Sequence, residues 1–432
     1  MTTTRRRFLA AAAPLIAPAS ALGQTPPSGR MTIGFIGTGN NGYGYLMPFL
    51  RDPRVRVVAV CDVNREGPGY WDGTVRGWAP AKRLVDGYYG DEGCATYTDY
   101  RELLQRRDID AVYLGTPDHW HALNTIHAAR AGKHIYGQKP LSLTVRDGRR
   151  MVEAVEKAKV VWQTGSQQRS DIYMRRAVEL VRNGAIGKVH TVRVGLPGGT
   201  PDFGHTANQT TVVPVPDGFD FDFWLGPAPA AQYCPARVGV NFRWVKDYSG
   251  GQLTDWGAHH IDIAQLGLAM ERSGPVALRN ARGEWAKHPV YNTATEYYFE
   301  CEYANGVKMI VGTKERGGVR FEGADGWVWT NRSRLETSSP DIATASLPTD
   351  GYRMAYSRDH EKNFIDAVLN GVPVVAPIEE AHRTITVSHL GNIALEVGRD
   401  LKWDPARESI TGDDTAAGML DRQYRRPWNP EG

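Results

Sequence analysis

A glycine-rich turn between a predicted strand and a predicted helix constrains the fold of this chain more than any other feature. The turn reads Gly37, Thr38, Gly39, Asn40, Asn41 and Gly42. The apolar run 31–36 before it predicts a buried strand, and 39–50 continues as a helix. In G-x-G-x-x-G turns the glycines permit a tight bend, close approach of a pyrophosphate and close packing of the helix. These six residues are therefore predicted to bind a dinucleotide.

The valine-rich segment 55–61 predicts a second buried strand, and Asp62 follows it directly. An acid at this position bonds the ribose hydroxyls of NAD and repels the extra phosphate of NADP. Arg65 lies close by in the sequence and would attract that phosphate, so NADP stays an alternative. We predict NAD as the cofactor, with Asp62 and Arg65 next to its ribose.

Strand and helix patterns keep alternating along the first part of the chain. Helical patterns cover 97–105, 119–131 and 145–158, and strand patterns cover 111–115, 134–137 and 160–164. This alternation predicts a doubly wound, parallel α/β (Rossmann) domain over residues 30–150. Later strand patterns, rich in β-branched and aromatic residues, cover 189–195, 296–303 and 307–314. They predict an α+β domain with a largely antiparallel sheet over 151–432, in which Ser170 caps a helix at 171–182.

The first 29 residues predict a signal peptide and a linker. Arg5, Arg6 and Arg7 match a twin-arginine pattern, the apolar stretch 8–17 is too short for a stable anchor, and 19–21 suits a signal peptidase. We therefore expect export by the twin-arginine machinery to the periplasm or beyond, with no membrane anchor after signal removal. Because soluble nicotinamide cofactor is scarce there, we expect the cofactor to be tightly bound.

The charge balance favours a small-molecule partner. The chain has 51 Lys and Arg against 48 Asp and Glu, and residues 1–21 hold three Arg and no acid, which leaves 48 against 48. A neutral protein has no general attraction for nucleic acid or anionic lipid. The four cysteines have no close spacing and predict neither a redox nor a zinc motif.

Two polar clusters follow predicted strands. The first is 116–121, Thr-Pro-Asp-His-Trp-His, and the second is Gln138-Lys139-Pro140. Because α/β sheets bind ligands at the carboxyl ends of their strands, these clusters predict further cofactor contacts. The predicted contacts are Thr116, Pro117, His119, His121 and Lys139. No compact ligand signature surrounds the two histidines, so no metal site is predicted.

With two later segments, 224–227 and 250–262, these clusters make the chain resemble the glucose–fructose oxidoreductase / inositol dehydrogenase / MocA (Gfo/Idh/MocA) family. The family hallmark Glu-Lys-Pro stands here as Gln138-Lys139-Pro140, so Gln replaces Glu. The resemblance covers nearly the whole chain after the signal. It implies a Rossmann domain, an α+β domain with an open-faced sheet, a sugar or polyol substrate, and homo-oligomers paired face to face.

The resemblance also implies three catalytic residues: Lys139, Asp255 and His259. His259 would accept the proton of a substrate hydroxyl, Asp255 would orient the imidazole, and Lys139 would stabilise negative charge on the oxygen. The spacing of Asp255 and His259 places both on one helical face if the segment is helical. The alternatives are that Asp255 stabilises a helix N-terminus and that His259 is a satisfied interior histidine.

Four more residues are predicted to contact substrate: Gln168, Arg169, His260 and Asp262. A structural hydrogen-bonding role is an equal alternative for them. The predicted function is an NAD(P)-dependent oxidoreductase acting on a carbohydrate hydroxyl or ketone. One alternative is an NAD-dependent glycosidase that oxidises the sugar transiently and eliminates the aglycone. The other is a non-catalytic, sugar-binding member.

Overall fold

The computed structural model describes residues 29–430, so the predicted twin-arginine pattern and cleavage site lie outside the described residues. A six-stranded parallel sheet forms the first domain, in the order β3-β2-β1-β4-β5-β6. Its strands are β1 (Met31–Ile36), β2 (Val55–Cys61), β3 (Ala95–Tyr97), β4 (Ala111–Leu114), β5 (His134–Gly137) and β6 (Trp162–Thr164). This order is doubly wound, as predicted, with the switch between β1 and β4.

Helices cover both faces of this sheet, which is why its central strands β1, β4 and β5 are mostly apolar and buried. They are α1 (Asn40–Leu50), α2 (Trp78–Tyr89), α3 (Tyr100–Leu104), α4 (His121–Arg130) and α5 (Val145–Ala158). The patterns predicted neither α2 nor β3. Pro80 stands in the first turn of α2, where a proline is tolerated, and Gly87 interrupts its later spacing. The sheet continues past the predicted boundary at residue 150, because β6 pairs with β5.

The second domain is built on a nine-stranded, mostly antiparallel sheet in the order β13-β12-β11-β7-β10-β9-β8-β14-β15. The strands are β7 (Val189–Gly195), β8 (Ala277–Trp285), β9 (Ala294–Glu302), β10 (Lys308–Gly312), β11 (Gly318–Gly323), β12 (Gly326–Thr330), β13 (Leu335–Thr337), β14 (Leu401–Asp404) and β15 (Ser409–Ile410). Within this second sheet, β7–β10 is the only parallel pair among the described strands. The fold class is as predicted.

Helices lie on one face of the second sheet. They include α6 (Ile172–Arg182), α8 (Gln252–Asp255), α9 (Gly257–Leu268), α10 (Pro340–Thr344), α12 (Ile378–Val397) and α13 (Asp414–Gly418). Two further helices lie elsewhere: α7 (Phe221–Leu225) in a separate aromatic cluster and α11 (His360–Asn370) against the first domain. The predicted cap of α6 was wrong by one residue. Asp171, not Ser170, accepts from the amides of Tyr173 and Met174, because its carboxylate reaches two free N–H groups.

The opposite face of the second sheet is uncovered and polar. Outward side chains such as Arg320, which lies over the Trp327 ring, alternate with buried ones such as Val319 and Phe321. The chain then returns to the first domain, where Phe364 of α11 packs against Phe49. Among the described helices, none combines the length and apolarity that crossing a membrane requires.

Candidate active site

The glycine-rich turn between β1 and α1 has the backbone that a phosphate-binding turn requires. Gly37 has φ of +83°, and a Cβ there would lie 2.6 Å from the Thr116 nitrogen. A Cβ on Gly42 would lie 1.8 Å from the Gly37 carbonyl oxygen, so α1 begins in direct contact with the turn. Gly39 is the residue before α1 and carries no capping side chain. The first amides of α1 therefore point into the space beyond the turn.

A cleft of about 910 Å³ opens in front of this turn. It lies at the carboxyl ends of the parallel strands, and eight of the predicted cofactor residues line it: Gly37, Gly39, Asn40, Asn41, Asp62, Thr116, Pro117 and Lys139. Two further observations fit an acceptor-rich ligand such as a dinucleotide. The amide nitrogens of Asn40 and Asn124, both in the lining, are buried and have no partner. Donors left unpaired in this way cost stability unless a ligand accepts from them.

Asp62 lies at the end of β2, in the cleft. One carboxylate oxygen accepts from the Thr38 amide at 2.7 Å, and the other from the Asn64 amide at 3.0 Å. Burial raises its pKa, and the two amides oppose that effect. Thr38 thus contacts Asp62, and it is fully buried beneath the turn. The acid occupies the position at which the ribose of a dinucleotide lies in Rossmann domains.

The structure brings Lys139 and Asp255 together. The Lys139 ammonium forms a short ion pair with the Asp255 carboxylate and also donates to its backbone carbonyl at 3.3 Å. Burial alone would raise the pKa of Asp255, but Lys139 and Arg243 hold it below its usual range. The pair therefore stays ionised at the inner end of the cleft. Asp255 contacts Lys139 and not the His259 ring, which differs from the orienting role that we predicted.

The helix breaks between the two predicted partners, and this break explains the difference. Helix α8 ends at Asp255 and α9 begins at Gly257, and the His259 amide donates to the Trp256 carbonyl, so the Asp255 carbonyl accepts from Lys139 instead. His259 is buried, and its Nδ1 has no hydrogen-bond partner within residues 29–430. Burial and the nearby charges of Lys139 and Arg332 hold its pKa well below the usual value. The ring is therefore neutral, which is the state that a general base requires.

Gln168 and His260 form hydrogen bonds around His259. With its amide oriented to suit its neighbours, Gln168 donates to the His259 carbonyl at 3.1 Å and accepts from His260 Nε2 at 3.2 Å. The other ring nitrogen of His260 lies 3.0 Å from the Gly195 carbonyl. Burial lowers the pKa of His260 to about 4. Both side chains are engaged by the protein, which favours positioning over the predicted substrate contact.

Arg169 and Asp262 form a buried pair. The guanidinium donates to both Asp262 oxygens, at 2.7 and 2.5 Å, and also to Glu380 at 2.5 Å. Thr384 donates to Asp262 at 3.0 Å. The side chains of the pair are 3% and 2% exposed. Since these partners satisfy each other, the predicted substrate contact by Arg169 and Asp262 stays without support from the geometry.

Three predicted cofactor residues lie beside the cleft. The ring nitrogens of His121 face the carbonyls of Pro140 at 2.7 Å and Thr116 at 2.8 Å, so the ring joins the two strand-end loops. His119 lies 3.0 Å from the Trp224 carbonyl. Arg65 is exposed and points toward Trp78, with 5.9 Å from its guanidinium carbon to the ring centre. Protein groups account for the positions of His121 and Arg65, whereas His119 Nδ1 is buried and has no hydrogen-bond partner within residues 29–430.

The structure also places residues in the cleft that the sequence did not indicate. Arg243, Asn124 and Tyr70 line it. Asn124 is one turn after His121, and helical spacing from the cluster 116–121 would have found it. Arg243 lies in a short 3-10 segment without periodicity, and no local signal marks it. Within residues 29–430 no group of three or more His, Cys, Asp or Glu side chains could hold a metal ion.

Comparisons with known proteins agree with this architecture. A family model described as "Oxidoreductase family, NAD-binding Rossmann fold" matches residues 75–166, and "Oxidoreductase family, C-terminal alpha/beta domain" matches residues 171–430. The myo-inositol 2-dehydrogenase of Thermotoga maritima is 39% identical over 98 residues, 23% of this chain and 29% of that protein. The alpha-N-acetylgalactosaminidase of Shewanella oneidensis is 26% identical over 268 residues, 55% of this chain and 54% of that protein. The chain thus spans about half or less of the length of these two curated relatives.

Solved structures show the same fold at low identity. The WlbA dehydrogenase of Bordetella pertussis, solved with NADH and UDP-GlcNAcA, is 15% identical with a TM-score of 0.62, covering 87% of this chain and 99% of that one. The aldose-aldose oxidoreductase of Caulobacter crescentus is 19% identical with a TM-score of 0.60, covering 86% and 99%. The two matching family models, which between them extend from residue 75 to residue 430, show that this chain belongs to the Gfo/Idh/MocA oxidoreductase family.

Proposed function

We propose that the protein transfers hydride between a tightly held NAD(H) and a hydroxyl or ketone of a sugar or polyol. The observation that carries the proposal is the ionised pair of Lys139 and Asp255 at the inner end of the nucleotide cleft. The neutral His259 lies close enough for the Lys139 charge to depress its pKa. A cation for an oxygen and a base for its proton are what oxidation of an alcohol requires.

The proposed role of each side chain follows from its charge. Bound NAD(H) supplies the hydride chemistry. Lys139 holds the substrate oxygen and stabilises the negative charge that develops on it. His259, unprotonated because of burial and its cationic neighbours, accepts the hydroxyl proton. Asp255 pairs with Lys139 and fixes its position, so we assign it to the lysine and not to the imidazole.

One feature supports NAD in preference to NADP, and a second feature supports tight binding of the cofactor. Asp62 lies in the cleft with its carboxylate held by two amides, while Arg65 points away toward Trp78. The loop after β2 also crosses the cleft. The Gly69 carbonyl accepts from the Val240 amide at 2.8 Å, and Trp71 stacks on Phe203 with 4.4 Å between ring centres. A ligand beneath this loop leaves only when those contacts open.

Gly42→Ala tests the cofactor assignment, and Gly44→Ala is its matched control on the same helix. An added methyl at Gly42 meets the Gly37 carbonyl, whereas nothing lies within 4 Å of one at Gly44. We expect wild-type protein and Gly44→Ala to release stoichiometric NAD on denaturation, measured by mass spectrometry. Gly42→Ala should release little or none. Equal cofactor in both variants would contradict the proposal.

A glycosidase is the second candidate, because several relatives are named as glycosyl hydrolase family 109 proteins or as alpha-N-acetylgalactosaminidase. The same three side chains suit transient oxidation of a sugar, with the hydride returned after the aglycone leaves. Aryl glycosides separate the two candidates. Release of nitrophenol without net reduction of bound NAD indicates the glycosidase, and net reduction by a free sugar or polyol indicates the dehydrogenase.

We further propose export by the twin-arginine route and assembly as a homo-oligomer. The support for export is the sequence of residues 5–21. The support for pairing is the uncovered face of the second sheet, where the Trp327 ring is only partly buried and is covered by Arg320. Cell fractionation and analytical ultracentrifugation of the mature protein measure the two properties directly.

A further inference from the structure

Positive charge exceeds negative charge at the inner end of the cleft. Lys139 and Arg243 face an ionised acid, Asp255, and Arg243 Nε lies 3.9 Å from its carboxylate. Arg332 adds a third cation nearby, 5.1 Å above the Trp256 ring and close enough to lower the pKa of His259. Asp118, whose carboxylate accepts from Ser249, is a second acid near Arg243, and the three cations outnumber the two acids. The described residues therefore leave the reacting end of the cleft with a surplus of positive charge.

The Arg243 guanidinium has unused hydrogen-bond donors. Its side chain is 13% exposed, and Nη1 donates to the Val240 carbonyl at 2.9 Å. Within residues 29–430 its Nε and Nη2 donate no hydrogen bond. These unpaired nitrogens face the open cleft that Arg243 lines, where a guanidinium fork can bind acceptors on a ligand. Asp255 cannot supply them, because Lys139 already occupies one of its oxygens and the second lies beyond hydrogen-bond distance from Arg243.

The nucleotide phosphates have donors elsewhere. The N-terminus of α1 and the unpaired amide of Asn40 face the part of the cleft beside the glycine turn. Arg243 belongs instead to the part beside Lys139 and Asp255, where the substrate oxygen is held. A guanidinium fork binds carboxylate or phosphate through two parallel hydrogen bonds. The acceptor that is missing from Arg243 is therefore an anionic group on the substrate.

We propose that the substrate is an anionic sugar, and that Arg243 selects it by binding its carboxylate or phosphate. This inference rests on the proposed function, because it places the substrate at Lys139 and His259. Arg243 determines substrate specificity, because it binds the carboxylate or phosphate of the sugar and this group is remote from the carbon that is oxidised. Neutral sugars can reach the same oxygen position but leave the guanidinium without acceptors, which is the kind of mismatch that sites built around a polar contact reject strongly.

The test compares sugars that differ only in charge. Full-length holoenzyme is mixed with glucose, glucuronate or glucose 6-phosphate, and with galactose or galacturonate, and reduction of the bound nicotinamide is followed by absorbance. We expect kcat/KM for one anionic form to exceed that of its neutral partner by about 100-fold. A preference for glucuronate over glucose 6-phosphate identifies a carboxylate, and the reverse identifies a phosphate.

Two variants, Arg243→Met and Arg320→Met, then test whether Arg243 causes the preference for an anionic sugar. Both changes remove a guanidinium, but Arg320 lies on the uncovered sheet face over Trp327. Arg243→Met should reduce the anionic-to-neutral ratio to within about tenfold while bound NAD is kept, and Arg320→Met should leave the ratio unchanged. Reduction by neutral sugars with no anionic preference overturns this inference and leaves the proposed function intact. No reduction by any sugar overturns both.

Discussion

Two ion pairs connect the strand ends of the first domain to the α8–α9 segment, and they differ in how completely they are satisfied. Arg169, after β6, meets Asp262 through two hydrogen bonds, and Glu380 and Thr384 occupy the remaining donors and acceptors. Lys139, after β5, meets Asp255 in a setting that leaves Arg243 short of acceptors. Both pairs are buried, so burial alone does not separate them.

The difference supports a structural role for the Arg169–Asp262 pair and fits the proposed catalytic role of the Lys139–Asp255 pair. A closed network has no capacity for a further ligand, and its value lies in fixing the position of α9 against the first domain. An open network has unmet hydrogen bonds that only a ligand can complete. The orphan Nδ1 of His259 belongs to the same open region. Completeness of hydrogen bonding is therefore the property that distinguishes the site from its neighbouring ion pair.

Breaking the Arg169–Asp262 pair, whose hydrogen bonds are complete, should give the largest loss of unfolding free energy. Arg169→Met leaves Asp262 as a buried charge without its main partner, which costs about 3–5 kcal/mol of unfolding free energy. Chemical denaturation measures it. Arg399→Met, which breaks an exposed pair with Asp413, is the control and should cost no more than about 1 kcal/mol. Similar losses in the two variants would mean that the buried network does not hold the domains together.

A change to the Lys139–Asp255 pair should instead affect catalysis. Lys139→Met removes the cation that stabilises the substrate oxygen, and kcat should fall by about 10²–10³-fold. The denaturation midpoint should change far less than in Arg169→Met, because the Asp255 carboxylate keeps Arg243 as a nearby cation. Steady-state kinetics with the best substrate from the sugar panel measures the first effect. An active Lys139→Met enzyme would remove this residue from the mechanism.

The smallest effect is a shift in the pH profile. Burial, Lys139 and Arg332 depress the pKa of His259, so its neutral form persists as the pH falls below 6.5 and activity is lost only when the ring finally protonates. Arg332→Gln removes one depressing charge, which raises that pKa and moves the acid limb of kcat/KM to higher pH by less than about one unit. Arg334→Gln, in the same turn and paired with Glu336, should leave the limb in place. A shift to lower pH would exclude His259 as the base.

Continuous patterns predicted the first domain well. The segments 31–36, 55–61 and 145–158 were predicted with the bounds that the structure shows, because buried parallel strands and amphipathic helices produce uninterrupted signals. Glycine spacing likewise predicted the nucleotide turn. The second domain gave weaker signals, since its strands alternate partly exposed and buried residues, and only three of its nine strands were anticipated.

The residues of the site were harder to predict than the elements that carry them. Lys139 contacts Asp255, and its charge lowers the pKa of His259, but the sequence could not show that the Asp255 carboxylate pairs with the lysine. Nor could spacing show that Arg169 and Asp262, 93 positions apart, would satisfy each other. Arg243 gave no signal at all, because its role depends on which groups fail to reach it in three dimensions.

The return of α11 to the first domain sets the order in which the protein can mature. Phe364 fills a gap in the aromatic core formed with Phe49 and Tyr136, so this side of the nucleotide-binding half stays uncovered until residues 360–370 have left the ribosome. The half that is synthesised first is thus completed near the end of translation. We expect a separately expressed nucleotide-binding fragment without α11 to expose an apolar surface and to aggregate.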